Sequence, residues 1–284
     1  NLQSSLGASS DVKFREVYIA GKKNLNVTIL FVDGLIDNSL ISNFILKPLM
    51  EGQKFAAAET QKEVINLIEE GIIYYSAQEK RHSISEVISD VLTGSVALIF
   101  DKQQTAFTFE VKGFEKRSIS EPSGENVIKG AKDSFIETLR VNTATVRTKI
   151  KSQNLIIEQT VVGRQTLTPV AVVYMNNIAN KNIVDEVKKR LNNIDVDGAL
   201  TTAIIEEYII DSKLSTFPQV ITTERPDKFC SNIIEGRVGI IIDGLSVSMI
   251  VPATLLQFLQ APEDYTQNFY INSLIRLLRF TLMV

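Results

Sequence analysis

Apolar and polar positions alternate in "FREVYIAG" (14–21), the period of a half-buried strand. They then merge into "NVTILFVDG" (26–34), a β-branched run closed by Asp33-Gly34 that reads as a buried strand. Helical spacing follows in "DNSLISNFILKPLME" (37–51), with Asp37 or Asn38 as its cap, and in "AAAETQKEVINLIEEG" (56–71), stopped by Gly71. The sharpest amphipathic pattern is "SISEVISDVLTG" (83–94). Ser83 or Ser85 can cap it, Ile84, Val87, Ile88, Val91 and Leu92 form its stripe, and Gly94 ends it. "SVALIFD" (95–101) and "TAFTFEV" (105–111) read as two strands across the turn "DKQQ".

The pattern then starts again. "TPVAVVYMNNIANKNIVDEVKKRLNNI" (168–194) is strand, turn and helix, and it lies on "KNLNVTILFVDGLIDNSLISNFILKPL" (23–49) with Val170 over Val27, an offset of 143. "FCSNIIEGRVGIIID" (229–243) lies on Val87–Asp101 with Gly236 over Gly94 and Asp243 over Asp101, an offset of 142. Each strand is followed by a turn and a further strand, "LSVSMIVPA" (245–253) in the second half. Such an offset is the mark of an internal repeat. The predicted fold class is α/β, in the sense of mixed α+β sheets, with two similar lobes of sheet plus helices joined by a connecting helix. The expected limits are a disordered N-terminal stretch 1–11, an N-terminal lobe 12–121, a connecting helix 122–152 and a C-terminal lobe 153–284. The last lobe ends in a helix at "PEDYTQNFYINSLIRLLRF" (262–280), readable as an amphipathic end or as a segment leading into a membrane, with Arg276 and Arg279 on the cytoplasmic side.

Composition narrows the chemistry. The 284 residues are 44% hydrophobic and 22% charged, enough for a real core, and the net charge of −3 offers no basic surplus for nucleic acid. One cysteine, Cys230, and one histidine, His82, make neither an internal disulfide nor a zinc cluster, and His82 sits in the polar stretch "QEKRHSIS". No metal and no cofactor is expected. In "EPSGENVIKGAKDSFIETLR" (121–140), Gly124 and Gly130 are six apart and precede Lys132 and Asp133. A phosphate loop needs four intervening residues and a hydroxyl after the lysine, so the glycines read as hinges. The glycines of "GRVGIIIDG" flank a strand rather than follow one, which is the wrong context for a dinucleotide site.

The stretch from about Ile119 to the end resembles the A subunit of the GerA-family spore germinant receptors. The resemblance rests on "TERPDK" (223–228), Ile234-Glu235-Gly236-Arg237-Val238, Asp243-Gly244, "VPAT" (251–254) and Ala261-Pro262-Glu263-Asp264-Tyr265. The chain departs from the family at Gly130-Ala131-Lys132-Asp133, where members often carry a Gly-Pro-Arg-Glu-like step. The resemblance implies the soluble N-terminal region of a membrane protein, on the cytoplasmic side of the spore inner membrane. It would work with B and C subunits, with further A subunits as possible oligomer partners, and take part in nutrient sensing or in signal transmission to a membrane channel domain. Solute-binding proteins, which close two lobes on a ligand, are the analogy for a nutrient site.

Candidate ligand-binding or coupling residues are Glu224, Arg225, Asp227 and Asp243. Arg225 is able to clamp a ligand carboxylate bidentately, or to pair with a neighbouring acid and fix the turn before the next helix. No catalytic residue is assigned. The alternatives are a carboxylate-based enzyme, for which Glu224 and Asp243 would have to meet, and a free-standing small-molecule-binding protein.

Overall fold

The computed structural model describes residues 2–73, 77–113, 133–215 and 217–254, with 257, 273–274, 277–278 and 281–282. The chain divides into two compact units, residues 1–115 with 143–157, and residues 116–142 with 158–284. The first contains α1 (Leu2–Leu6), β1 (Val12–Tyr18), β2 (Asn26–Val32), α2 (Asn38–Leu40), α3 (Lys47–Glu51), α4 (Gln53–Ala57), α5 (Gln61–Glu69), β3 (Gln78–Arg81), α6 (Ile84–Leu92), β4 (Ser95–Phe100) and β5 (Thr105–Glu110). A π-type turn, Ile41–Leu46, joins α2 to α3. Then come α7 (Leu139–Lys149), β6 (Leu155–Val162), β7 (Thr168–Met175), α8 (Lys181–Asn192), α9 (Thr202–Ile209), β8 (Ile221–Thr223), α10 (Pro226–Ile234), β9 (Val238–Ile242) and β10 (Ser248–Val251). The unit division falls inside α7 and again inside β6.

The two sheets have the same strand order, β1-β2-β4-β5-β3 and β6-β7-β9-β10-β8. Their registers also coincide. Thr28 faces Ile99 in the first sheet; shifted by the offsets read from the sequence, this pair becomes Ala171 and Ile241, which face each other in the second. Both of these central pairings are antiparallel. The two turns after α6 and α10 match in detail. Gly94 (φ +99°) and Gly236 (φ +96°) are left-handed, and a Cβ on either would lie 3.3 Å from a backbone carbonyl, that of Leu35 or of Ile178. Only glycine takes this conformation without strain.

In the first unit both faces of the sheet are buried, which is why its central strand β4 is apolar from Val96 to Phe100. Val27, Ile29, Leu98, Phe100, Phe107 and Phe109 pack with Leu49, Phe55, Val64 and Ile68 of α3–α5. Leu30, Val32, Ala97 and Ile99 pack on the other side with Leu6, Val87, Val91, Leu92 and Ala144. Each fully buried side chain of this size contributes roughly 1.5–3 kcal/mol. In the second unit β7 and β9 are almost wholly buried too, and α8 and α10 turn Val184, Val187, Leu191, Phe229 and Ile233 inward.

The expectation of a disordered 1–11 segment is corrected. Leu6 is in the core, and Ser9 and Asp11 are buried. The cause is Arg147 of α7, itself 0% exposed. Its Nε and Nη2 donate to Asp11 Oδ2 and Oδ1, each at 2.9 Å, and Nη2 also donates to Ser9 Oγ at 2.9 Å. Its Nη1 donates to the carbonyls of Ser152 and Leu155 at 3.2 and 3.1 Å. Ser9 Oγ donates to Asp11 Oδ1 at 2.6 Å and accepts from the Ile157 amide at 2.9 Å. A buried charge is tolerable only when it is paired and hydrogen-bonded in this way.

The expected connecting helix is shorter than its pattern suggests. It begins at Leu139, and residues 133–138 are not helical. Their backbone bonds go elsewhere: the buried Asn142 side chain donates to the Ile136 carbonyl at 2.5 Å and accepts from the Ile136 amide at 2.9 Å. The hinge glycines Gly124 and Gly130 lie outside the described residues, as does most of the expected pre-membrane helix. Among the described residues near the C-terminus, Leu274, Leu277, Leu278 and Leu282 are exposed. No described helix is long and apolar enough to cross a membrane.

Candidate functional site

The "TERPDK" stretch joins β8 to α10. Arg225 is the N-cap residue, with φ −96° and ψ 116°, and Pro226 takes the first helical position, where its missing N–H costs nothing. The Arg225 amide donates to Thr223 Oγ1 at 3.1 Å. Its guanidinium is buried and grips Asp227 in a two-point pair, Nε to Oδ1 at 3.0 Å and Nη2 to Oδ2 at 2.5 Å. Asp227 also lies in the first turn of α10, where a carboxylate complements the helix dipole. The bidentate capacity of Arg225 is therefore met by an acid two residues away.

Glu224 and Asp243 act on a different stretch. The Glu224 carbonyl accepts from the Phe135 amide at 2.8 Å and from Ser134 Oγ at 3.2 Å. An Asp243 carboxylate oxygen accepts from the Leu139 amide at 2.8 Å, and the Gly244 amide donates to the Glu137 carbonyl at 2.7 Å. Asp243 thus supplies an acceptor for the first amide of α7, one of the four that a helix leaves without an internal partner. Between these two anchors Phe135, 2% exposed, packs edge-on against Phe229 at 5.4 Å between ring centroids. The four candidate residues are brought to the two turns that frame α10 and β9. Two of them strap residues 134–139, the approach to α7. Phe135 and Asn142 complete this strap. From the sequence Phe135 reads only as part of the apolar stripe of the connecting helix, and Asn142 is not singled out; the cue was the Phe135-Ile136 pair between polar neighbours.

His82 is exposed, and Cys230 is buried and not in a disulfide. Among the described residues no group of three His, Cys, Asp or Glu side chains converges as a metal site would require. A second cluster lies on β6, β7 and α8. Tyr174 donates to Glu158 Oε1 at 2.5 Å, Lys188 donates to the same oxygen at 2.7 Å, and the Lys188 ammonium lies 5.2 Å from the Tyr174 ring centre. Burial first, then the bond to Glu158, raises the Tyr174 hydroxyl above its usual range, so it is a donor at all ordinary pH.

The second unit also holds a cleft of about 630 Å³ between α8, the loop after α9 and the end of β10. Its walls include Ile183, Val187, Phe217 and Val251, and its rim includes Glu186, Arg190 and Asp211. Sequence reasoning did not find it, because its walls come from three distant stretches. The available signal was the Glu186/Arg190 pair, four apart on one helix face.

The family model for the Bacillus/Clostridium GerA spore germination protein matches residues 1–284. Spore germination protein B1 of Bacillus subtilis is 34% identical over 99% of this chain and 57% of that protein. Spore germination protein KA of the same organism is 32% identical over 98% of this chain and 50% of its own length. The chain thus spans about half the length of these relatives. Among solved structures, the N-terminal domain of the A subunit of the Bacillus megaterium spore germinant receptor GerK3 is similar, with a TM-score of 0.69 and 30% identity over 89% of this chain and 92% of that one. The family match includes the first 118 residues, outside the stretch whose motifs carry the resemblance.

Proposed function

Because the chain belongs to the GerA family of spore germination proteins, we propose that it is the N-terminal domain of a germinant-receptor A subunit and that it transmits the germination signal. The observation that carries this reading is the likeness of nearly the whole chain to the N-terminal domain of one such subunit. The rest of the subunit, about half its length, would hold the membrane part, and B and C subunits would complete the receptor at the spore inner membrane, with this domain on the cytoplasmic side.

The strap on residues 134–139 gives transmission a physical route. Asp243 and Glu224 belong to the second unit, and the segment they hold runs directly into α7, whose later residues belong to the first. A change at the α10 turns alters the start of α7 and is passed along its axis. This role needs no chemistry. An enzyme built on Glu224 and Asp243 would need both carboxylates facing a substrate, whereas Asp243 supports a helix amide and Glu224 acts here through its carbonyl. The family is one of spore germination proteins rather than of enzymes.

The test is Asp243→Ala in the intact receptor, with germination followed as the fall in optical density of a spore suspension after nutrient addition. A slower response at normal receptor level supports the reading. An unchanged response, with amide exchange at Leu139 faster in the variant chain, would remove the strap from the signal route.

A further inference from the structure

The cleft of the second unit is within the 300–1,000 Å³ that small-molecule sites occupy. Its body is apolar, and its charged rim is unbalanced. Arg190 Nε donates to Glu186 Oε1 at 2.8 Å, Nη2 donates to Asp211 Oδ1 at 2.6 Å, and Nη1 donates to the Ile209 carbonyl. Two carboxylates therefore share one guanidinium, and each of its nitrogens already serves a protein acceptor. Gln219 is also engaged, its Nε2 with the Ser212 carbonyl at 3.3 Å and its Oε1 with the Asp211 amide at 2.6 Å. Lys189 approaches Glu186 Oε2 only to 3.8 Å, is 71% exposed, and is not part of the lining. The bond from Arg190 holds the Glu186 carboxyl below its usual range, so it is charged at neutral pH. An anion entering this cleft meets two carboxylates against one guanidinium whose donors are already committed, whereas a cation meets acceptors. The first three residues of "VPAT" (251–254), a motif to which the strap gives no role, form part of the wall.

We propose that this cleft binds a small molecule with a compact, branched apolar body and a primary ammonium group. The body lies against Ile183, Val187 and Phe217, and the ammonium faces Glu186 and Asp211. The site is separate from the strap and does not depend on the signalling role.

The experiment is a titration of the ¹⁵N-labelled 284-residue chain with 3-methylbutylamine, alongside 4-methylpentanoate as the matched anion and 3-methylbutan-1-ol as the neutral analogue. Shifts confined to residues 182–190, 209–220 and 251–253 are expected, with the amine bound about tenfold more tightly than the anion. Glu186→Gln should weaken the amine by about fivefold and leave the alcohol unchanged. Ile183→Trp fills the cleft from a half-buried position and should abolish binding of both. If that variant melts early, Ser215→Trp at the exposed rim applies the same block. Equal binding of amine and anion, shifts elsewhere in the chain, or amine binding that survives both tryptophans would overturn the proposal. L-Leucine, which adds a carboxylate to the same body and ammonium, distinguishes a plain ammonium site from an amino-acid site: binding no weaker than the amine would overturn the stated class.

Discussion

The two units share strand order, register and glycine turns, yet they differ at most of the core positions that the repeat pairs, with Val27/Val170, Val96/Val238 and Ile99/Ile241 kept. Phe107 and Phe109 of the first unit correspond to Met249 and Val251 of the second. Conversely, Ala97 and Val87 correspond to Gly239 and Phe229. There the volumes are exchanged across one pair of positions. A Cβ on Gly239 would lie 2.1 Å from Phe229 Cζ, so the aromatic ring on α10 occupies space that a methyl and a valine share in the first unit. What the units have in common is the path of the backbone; the filling was renegotiated locally. The same holds for polar positions. Asp37 and Asn180 are equivalent caps, accepting from Ser39 N at 2.8 Å and from Asn182 N at 3.0 Å. Ser83 and Ser85, 2.6 Å apart, stand where the second unit has the Arg225–Asp227 ion pair.

The deepest asymmetry is the buried Arg147–Asp11 pair, which belongs to the first unit. Arg147→Met strands the Asp11 carboxylate and should cost about 3–5 kcal/mol. Chemical denaturation should show the first unit unfolding earlier while amide protection in β7 and β9 persists. Arg147→Met with Asp11→Leu should recover much of that loss, since an apolar pair of similar volume is often neutral. The volume exchange is tested next. Gly239→Ala should cost about 1–3 kcal/mol by overpacking against Phe229, and Phe229→Val in the same chain should relieve part of it. Ala97→Gly, the mirror substitution, should cost only about 0.5–1 kcal/mol. Gly94→Ala and Gly236→Ala should each cost about 1–2 kcal/mol through the left-handed backbone. Gly236→Ala should be the worse, because its Cβ meets the stiff Ile178 Cγ2 at 2.9 Å, whereas that of Gly94 meets a lysine methylene at the same distance.

The smallest effect concerns pH. The Ser39 hydroxyl and amide hold the Asp37 carboxyl below its ordinary value. Its contribution to the first unit is therefore complete above the unfolded value of about 3.9 and is lost as the pH falls through the lower folded one. Asn180 does not titrate. In an acid titration the Ser39 amide resonance should move and that of Asn182 should stay; Asp37→Asn should remove the difference. Equal movement of both would show that the two caps respond to something other than the carboxylate.

The repeat itself was legible, because glycines and β-branched runs announce turns and buried strands. The offsets of 143 and 142 carried over directly into strand register. The N-terminal segment was misread for a definite reason. Serines and an aspartate look solvated until a distant arginine supplies the partner that lets them be buried, and a helix arginine looks exposed for the same reason. The helix start at Leu139 was equally hidden, since its limit comes from the Asn142 amide folding back on Ile136 rather than from a proline or glycine. For the candidate site, the turn around Arg225 was readable from "TERPDK". The strap by Glu224 and Asp243 was not, because it acts through a carbonyl and a helix amide, which no side-chain pattern records.

The placement of Arg147, 136 residues after its partner Asp11, bears on how the chain is made. A polypeptide emerging from the ribosome completes β1–β5 before the guanidinium that neutralises Asp11 has been translated. At roughly 5–20 residues per second this leaves the nascent first unit incomplete for an interval on the order of seconds. The unit closes only when residues 143–157 arrive, so its maturation is timed by synthesis of the stretch that leads into its twin.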